Sequence, residues 1–331
     1  MRKFKRAVLL LLIAALLLPS LCACADKQSQ KVIGTCAGYD VLYEELRYVT
    51  LSYKDMFAAT YGEDIWDTPE SAEKYRAELE GVVWDMMLNN YAVLAACAYY
   101  MDASSINDSS IDEAVDAQVQ EAMEESGGKS AFRDSLKKMY MTEHFLRFCL
   151  RVAQLENELL YVLCDDLGVI ENDLDRFIAW LEDGHFRYVQ HVFISNDPGD
   201  DVEENRATAE EIRRRLLEGE DISTFVGSAV NEDLQNAAPY FLVKDVYVDE
   251  MESAAFSMHF IGDVSRVVEV DTGFYVMVLL EHNESSLLLQ ASDLLTSYQW
   301  AKVEEEVETF RPKIELELND YGKSIDLLAI Q

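Results

Sequence analysis

The sequence predicts an α+β protein: a mainly helical module built from both ends of the chain, with a small α/β domain inserted between them. Three observations carry this. Apolar residues recur at helical spacing through most of the flanking text. The stretch Arg187–Glu281 instead mixes short β-type runs with short helices. A β-type run also stands near each end, at Lys31–Ala37 and Ile314–Leu318. With 331 residues and 50% hydrophobic content, the chain can bury one or two cores, which sets an expectation of two or three modules.

At the N-terminus, Arg2, Lys3, Lys5 and Arg6 precede an unbroken apolar run from Ala7 to Leu18. A basic start followed by a short apolar middle is a secretory leader, too short for a comfortable membrane span. Leu21-Cys22-Ala23-Cys24 then looks like a bacterial lipobox, with Cys24 as the lipidated cysteine because the residue before the cut must be small, as Ala23 is. The expected address is the extracytoplasmic face of a cell membrane, held by lipid. The expected organisation is a leader over 1–23, a tether over 24–30 and a helical domain over 31–186. The inserted domain follows over 187–282, then a C-terminal helix and strand over 283–331 that packs back on the helical domain.

The formal net charge is −34. Without the leader it is −38, from 24 basic and 62 acidic side chains. Such a field makes nucleic acid and bare anionic lipid poor partners. It suits a solvated surface and, secondarily, attraction to basic unfolded chains. Of the cysteines after Cys24, Cys36, Cys97, Cys149 and Cys164, none has zinc-ligand spacing. Cys97 and Cys149 sit in apolar helical text and read as buried thiols, with a disulfide among the four left open. His144, His185, His259 and His282 form no metal-like constellation, and Asn196–Asp201 lacks the twelve-residue ligand spacing of a calcium loop. No cofactor is expected.

In order, Tyr43–Ala59 reads as a helix with Leu46, Val49, Tyr53 and Phe57 on one stripe. Thr68 before Pro69 opens a long helix to about Tyr100, apolar nearly all round. Asn107–Ser126 is a further helix stopped by Gly127-Gly128, and Phe132–Leu163 is another. Asn172 caps a connecting helix that runs to Glu182. After the insert, Leu289–Phe310 is helical with Val303, Val307 and Phe310 in register, and Pro312 ends it. Ile314, Leu316 and Leu318 alternate with Glu315 and Glu317 as a half-buried strand. A lone strand leaves a ladder of unpaired backbone groups, so Lys31–Cys36 is expected to pair with Lys313–Leu318.

Within the insert, Tyr188–Ser195 is a β-type run. Glu203–Glu218 is a helix burying Ala209, Ile212 and Leu216, with Gly219 at its end. Asp221–Val230 and Glu250–Met258 are short helices. Val264–Val270 and Phe274–Leu280 pair around Asp271-Thr272-Gly273, which completes a β-α-α-α-β-β order.

The text of this stretch resembles the parvulin type of peptidyl-prolyl isomerase found in PrsA-like and SurA-like foldases. The matching pieces, in the family's order, are Tyr188–Ile194, Leu216–Ile222, Glu252–Phe256, Ile261–Ser265 and Thr272–Val276. Ser130–Leu136 and Tyr140–Arg147 are similar to the helical N-terminal domain of the same foldases. The resemblance implies a site of two histidines, an acid or cysteine between them, and a Met/Phe proline pocket. Carried over by position, the first histidine is His191 and the second falls on Tyr275, with the hydroxyl before the last strand on Thr272. The pocket falls on Tyr247, Met251 and Phe256. The loop that brings the acid is replaced by Asn236-Ala237-Ala238-Pro239-Tyr240-Phe241.

The resemblance thus implies an anchored foldase whose partners are unfolded or secreted polypeptides with X-Pro bonds. Two other readings stay open: a holdase whose insert binds without turnover, and a scaffold lipoprotein that presents the same fold to an envelope partner. Loss of the acid favours the holdase; His191, Thr272 and the apolar pocket favour activity.

Overall fold

The computed structural model describes residues 29–196, 200–225 and 238–331. The leader, Cys24, Asn236 and Ala237 lie outside the described residues, as do Asp197–Gly199 and the second half of the short helix expected at Asp221–Val230, whose first half holds a 3-10 turn at Ile222–Thr224. The described chain forms two compact units. One comprises 29–167 and 303–331; the other is Gly168–Lys302.

The first unit opens with a hairpin of β1 (Val32–Cys36) and β2 (Tyr39–Leu42), turned by Ala37 and Gly38, both at positive φ. β2 was not expected; Tyr39–Leu42 pairs along β1 before the helix begins. In α1 (Tyr43–Tyr61), Glu45 accepts from the Leu42 N–H at 2.9 Å and so closes the first turn. Thr68 caps α2 (Pro69–Met87), its hydroxyl accepting from Ser71 N at 3.2 Å, with Pro69 in the first turn.

The single long helix expected to Tyr100 is instead broken at Leu88, and α3 (Asn89–Tyr100) follows. The break has a distant cause. The Arg311 guanidinium takes the Asp85 carbonyl, pairs with the Asp85 carboxylate at 2.6 Å and donates to Asn89 Oδ1. That carbonyl is thereby drawn out of the regular i to i+4 ladder.

Asp108 caps α4 (Ser109–Glu125). The expected Phe132–Leu163 helix is two, α5 (Lys129–Lys138) and α6 (Glu143–Tyr161). Tyr140 separates them at φ 58°, held there by its hydroxyl on Asp55 at 2.8 Å and by Arg47 on its carbonyl at 3.2 Å. Val115, Val119, Phe132, Leu136, Met141 and Phe145 form a core across α4, α5 and α6.

Cys36, Cys97, Cys149 and Cys164 are all free thiols. Burial pushes Cys36 and Cys164 up to about 11, and Cys97 and Cys149 up to about 12. Thiolate is the reactive form. Native protein treated with iodoacetamide at pH 8 should therefore leave Cys36, Cys97 and Cys164 unmodified by mass spectrometry, and urea should expose all three.

In the second unit, α7 (Leu174–Trp180) is capped one residue later than expected. Asp173 accepts from Arg176 N at 2.9 Å, whereas the Asn172 side chain is engaged by Gln299 at 3.0 Å. A four-stranded antiparallel sheet follows, made by β3 (Phe186–Ser195), β4 (Tyr240–Val243), β5 (Val268–Val270) and β6 (Gly273–Leu279) in the order β4-β3-β6-β5. α8 (Val202–Leu217) lies between β3 and β4, and α9 (Asp249–Phe256) between β4 and β5.

β4 corrects the expected element order, since Tyr240–Val243 is a strand and not loop. β5 is shorter than the expected Val264–Val270 because Ser265 interrupts it: its hydroxyl accepts from Met277 N at 2.9 Å and satisfies the ladder donor itself. Alternation along β3 sorts the two faces. Val192 and Ile194 pack with Phe274, Val276, Val278 and the Ala209, Ile212, Leu216 stripe of α8. Val189 packs with Met277, Leu279 and Met251, Ala254 and Ala255 of α9. Phe241 and Val243 pack with Phe177 and Leu181 and with Leu287 and Leu295 of α10 (Glu284–Glu308).

From Val303 onward α10 belongs to the first unit, where Val303, Val307 and Phe310 are buried. Arg311–Lys313 forms a tight 3-10 turn, so only Glu317–Leu318 of the expected Lys313–Leu318 strand pairs, as β7. Its partner is β1, antiparallel, with Gly34 opposite Leu318 and Thr35 opposite Glu317. Among the described residues, no helix is long and apolar enough to cross a membrane.

Candidate functional site

Strand β3 carries His191 in its middle, opposite Met277 of β6, and the side chain is 2% exposed. A polar ring at the centre of a small sheet needs partners, and the two neighbouring strands supply them. From β4, Tyr240 is paired with Val189 and so stands diagonal to His191, and its hydroxyl meets Nδ1 at 3.1 Å. From β6, Tyr275 stands diagonal on the other side, its ring centroid 5.0 Å from the imidazole and nearly perpendicular to it. Tyr240 makes the same edge-to-face contact at 5.4 Å.

The ring contacts continue outward. Phe193 stacks on Tyr275 at 4.5 Å, and Tyr247 lies 5.8 Å from Tyr240. Phe193, Tyr275, His191, Tyr240 and Tyr247 therefore form one unbroken series of ring contacts. Tyr247 is fixed by its N–H, which donates to Glu252 at 2.8 Å, and burial pushes its hydroxyl up to about 12, so it stays protonated at neutral pH. Aromatic faces of this kind suit an apolar ring such as that of proline, and phenol and imidazole groups offer hydrogen bonds without a fixed charge.

The other expected residues are placed as follows. Met251 is buried in the core between α9 and the sheet, beside Val189, Met277 and Val268. Phe256 is partly buried against that core, with the Arg187 guanidinium 4.6 Å above its ring. Thr272 is exposed at the turn between β5 and β6, its carbonyl accepting from Asn196 N at 2.9 Å. Five positions separate it from Met277, which is about 17 Å along an extended strand. The structure thus brings His191, Tyr275 and Tyr247 into one series and leaves Thr272 at the far end of the hairpin.

Tyr240 and Phe193 are the members that the sequence reading missed. Tyr240-Phe241-Leu242-Val243 is a run of aromatic and β-branched or aliphatic residues, and that composition was the available sign of a strand. Among the described residues, no group of three or more histidine, cysteine or carboxylate side chains could hold a metal.

No family model and no curated protein matches the chain. Among solved structures it is similar to the peptidylprolyl isomerase PrsA of Bacillus anthracis, at 16% identity, covering 68% of this chain and 96% of that one with a TM-score of 0.34. It is also similar to the foldase protein PrsA of Streptococcus pneumoniae, at 13% identity with a TM-score of 0.34, covering 79% and 91% of the two chains. A SurA-like chaperone of Campylobacter jejuni matches at 11% identity with a TM-score of 0.28, covering 87% and 99%.

Proposed function

We propose that this protein is an extracytoplasmic foldase, anchored through lipid on Cys24, whose His191 face receives X-Pro segments of unfolded or secreted polypeptides and isomerises them weakly. The observation that carries the reading is the imidazole of His191, buried in mid-sheet between tyrosines from both neighbouring strands on an aromatic face.

X-Pro isomerisation crosses a barrier of about 18–20 kcal/mol without breaking a bond, so it requires no nucleophile or metal. It requires a wall for the proline ring and polar groups that suit the twisted amide better than the planar one. In this reading Tyr247 and Phe256 form the wall with Met251 beneath, and His191 and Tyr275 serve the amide. Thr272 meets only residues farther along a longer client.

The sequence motifs of the insert support the parvulin-like assignment; the exchange of the second histidine for Tyr275 supports weak turnover, since a phenol does not take a proton near pH 7 as a second imidazole can. The test is an X-Pro isomerisation assay on residues 27–331. His191→Ala should lower the rate by about tenfold, which is about 1.4 kcal/mol of barrier, with little loss of fold. The holdase reading is favoured by the same missing acid. It would take over if the wild type were inactive yet still suppressed aggregation of an unfolded client.

A further inference from the structure

His191 faces a choice that its surroundings must settle: in the neutral imidazole one nitrogen bears the proton and the other accepts, and the hydrogen bond to one nitrogen decides which. The hydroxyl of Tyr240 sits 3.1 Å from Nδ1. A phenol is a good donor through its O–H and a poor acceptor, because its oxygen lone pair is shared with the ring. An unprotonated imidazole nitrogen is a good acceptor. The bond therefore runs from Tyr240 Oη–H to His191 Nδ1, which puts the ring proton on Nε2.

The strand frame makes this contact rigid. Tyr240 is paired with Val189 in the backbone ladder, so its side chain emerges diagonal to His191 on the same face of the sheet. Tyr247, packed 5.8 Å from the Tyr240 ring, limits how that ring can turn.

We propose that Tyr240 is a positioning residue of this site: its hydroxyl holds His191 as the Nε2–H tautomer, in a single ring orientation. The proposal rests on the reading of the His191 face as the site that receives X-Pro segments. It goes beyond that reading by assigning a function to a residue outside the motif and by fixing where the imidazole proton lies.

The test uses residues 27–331 labelled with 15N-histidine. Long-range proton–nitrogen correlations identify the tautomer of each histidine, and the His191→Ala spectrum assigns the His191 signals. In the wild type His191 should show Nδ1 as the unprotonated nitrogen and Nε2 as the protonated one. In Tyr240→Phe, which keeps the ring and loses only the hydroxyl, those signals should move to a mixture of tautomers while the melting temperature stays close to that of the wild type. The X-Pro isomerisation rate should fall severalfold, toward that of His191→Ala. An unchanged tautomer in Tyr240→Phe, or a wild type with the proton on Nδ1, would overturn the proposal. A wild type with no isomerase activity would count against the isomerase reading alone. The tautomer comparison would still decide the positioning role, a shift upholding it and no shift refuting it.

Discussion

Gly322→Ala should unfold or severely destabilise the unit that holds β1 and the C-terminal residues, by about 3 kcal/mol or more. A Cβ at Gly322 would stand 2.1 Å from the carbonyl oxygen of Ile33, and Gly34 is tight in the same place, its Cβ position 2.5 Å from the Glu317 carbonyl. Both obstacles are backbone, so no side chain can turn away to relieve the clash. Around this contact Asn319 ties the C-terminal end to β1: its N–H donates to Ile33 O at 2.9 Å and its amide to Val32 O at 2.8 Å. It also accepts from Gly322 N at 2.9 Å. Gly81 is the control, since it lies in α2 with nothing within 4 Å of a Cβ. Gly81→Ala should be neutral or stabilise by about 0.5–1 kcal/mol. Urea melts of the two variants decide the matter. A Gly322→Ala protein as stable as the wild type would refute the close return of the chain to β1.

The second large effect is a dependence on pH centred on Glu45. This carboxylate is 5% exposed, and it accepts from Leu42 N at 2.9 Å and from the Tyr91 hydroxyl at 2.7 Å. Burial outweighs those bonds and raises its pKa from 4.5 to about 7. Glu44 beside it, itself bonded to Thr142 and to His144, adds to the rise, while His144 opposes it. Cys36 on β1 and Cys149 on α6 also feel the Glu45 charge.

The folded state therefore holds a proton that the unfolded chain releases at lower pH. Stability from this group is fully present below about pH 4.5 and is lost as pH rises through about 7. The loss amounts to about 3 kcal/mol. Glu45→Gln keeps an acceptor for the Leu42 N–H and removes the ionisation. It should melt with the wild type at pH 4.5 and about 5 °C or more above it at pH 8. A variant that tracks the wild type at both pH values would show that the carboxylate is not held neutral by burial.

Much of this architecture was legible in the sequence because its signals are local. Thr68-Pro69 opened α2 and Gly127-Gly128 closed α4 where cap chemistry places them. The 3.6 period of Ala209, Ile212 and Leu216 gave the buried stripe of α8, and the period of two in Ile314–Leu318 pointed to a strand that needed a partner near the other end of the chain.

The departures arise from distant partners. The break at Leu88 is made by Arg311, and the turn at Tyr140 by Asp55 and Arg47, and none of these effects is written in the local text. Strand β4 was hidden because it is four residues long and follows Ala238-Pro239, which reads as loop. At the site, His191 and Tyr275 could be found from motif positions, and the β3–β6 register brings them to one face. Tyr240 could not, because its contact with His191 depends on which strand lies beside β3. The exposed position of Thr272 follows from the register of the β5–β6 hairpin, where one step along the chain exchanges an inward side chain for an outward one. The burial of Glu45 was equally invisible: a glutamate in the first turn of a helix reads as a cap, and only the packing of Tyr91 and β1 around it makes it a titrating core group.

The central claim is that the His191 face recognises the X-Pro unit itself. The most direct measurement is a nuclear magnetic resonance titration of residues 27–331 with a short unstructured peptide containing Ala-Pro and with the same peptide carrying Ala-Ala. The account predicts that the Ala-Pro peptide alone shifts signals of Phe193, Tyr240, Tyr247 and Tyr275, and that its cis and trans forms exchange faster in the presence of the protein. Equal shifts with both peptides, or shifts confined to other parts of the chain, would contradict it.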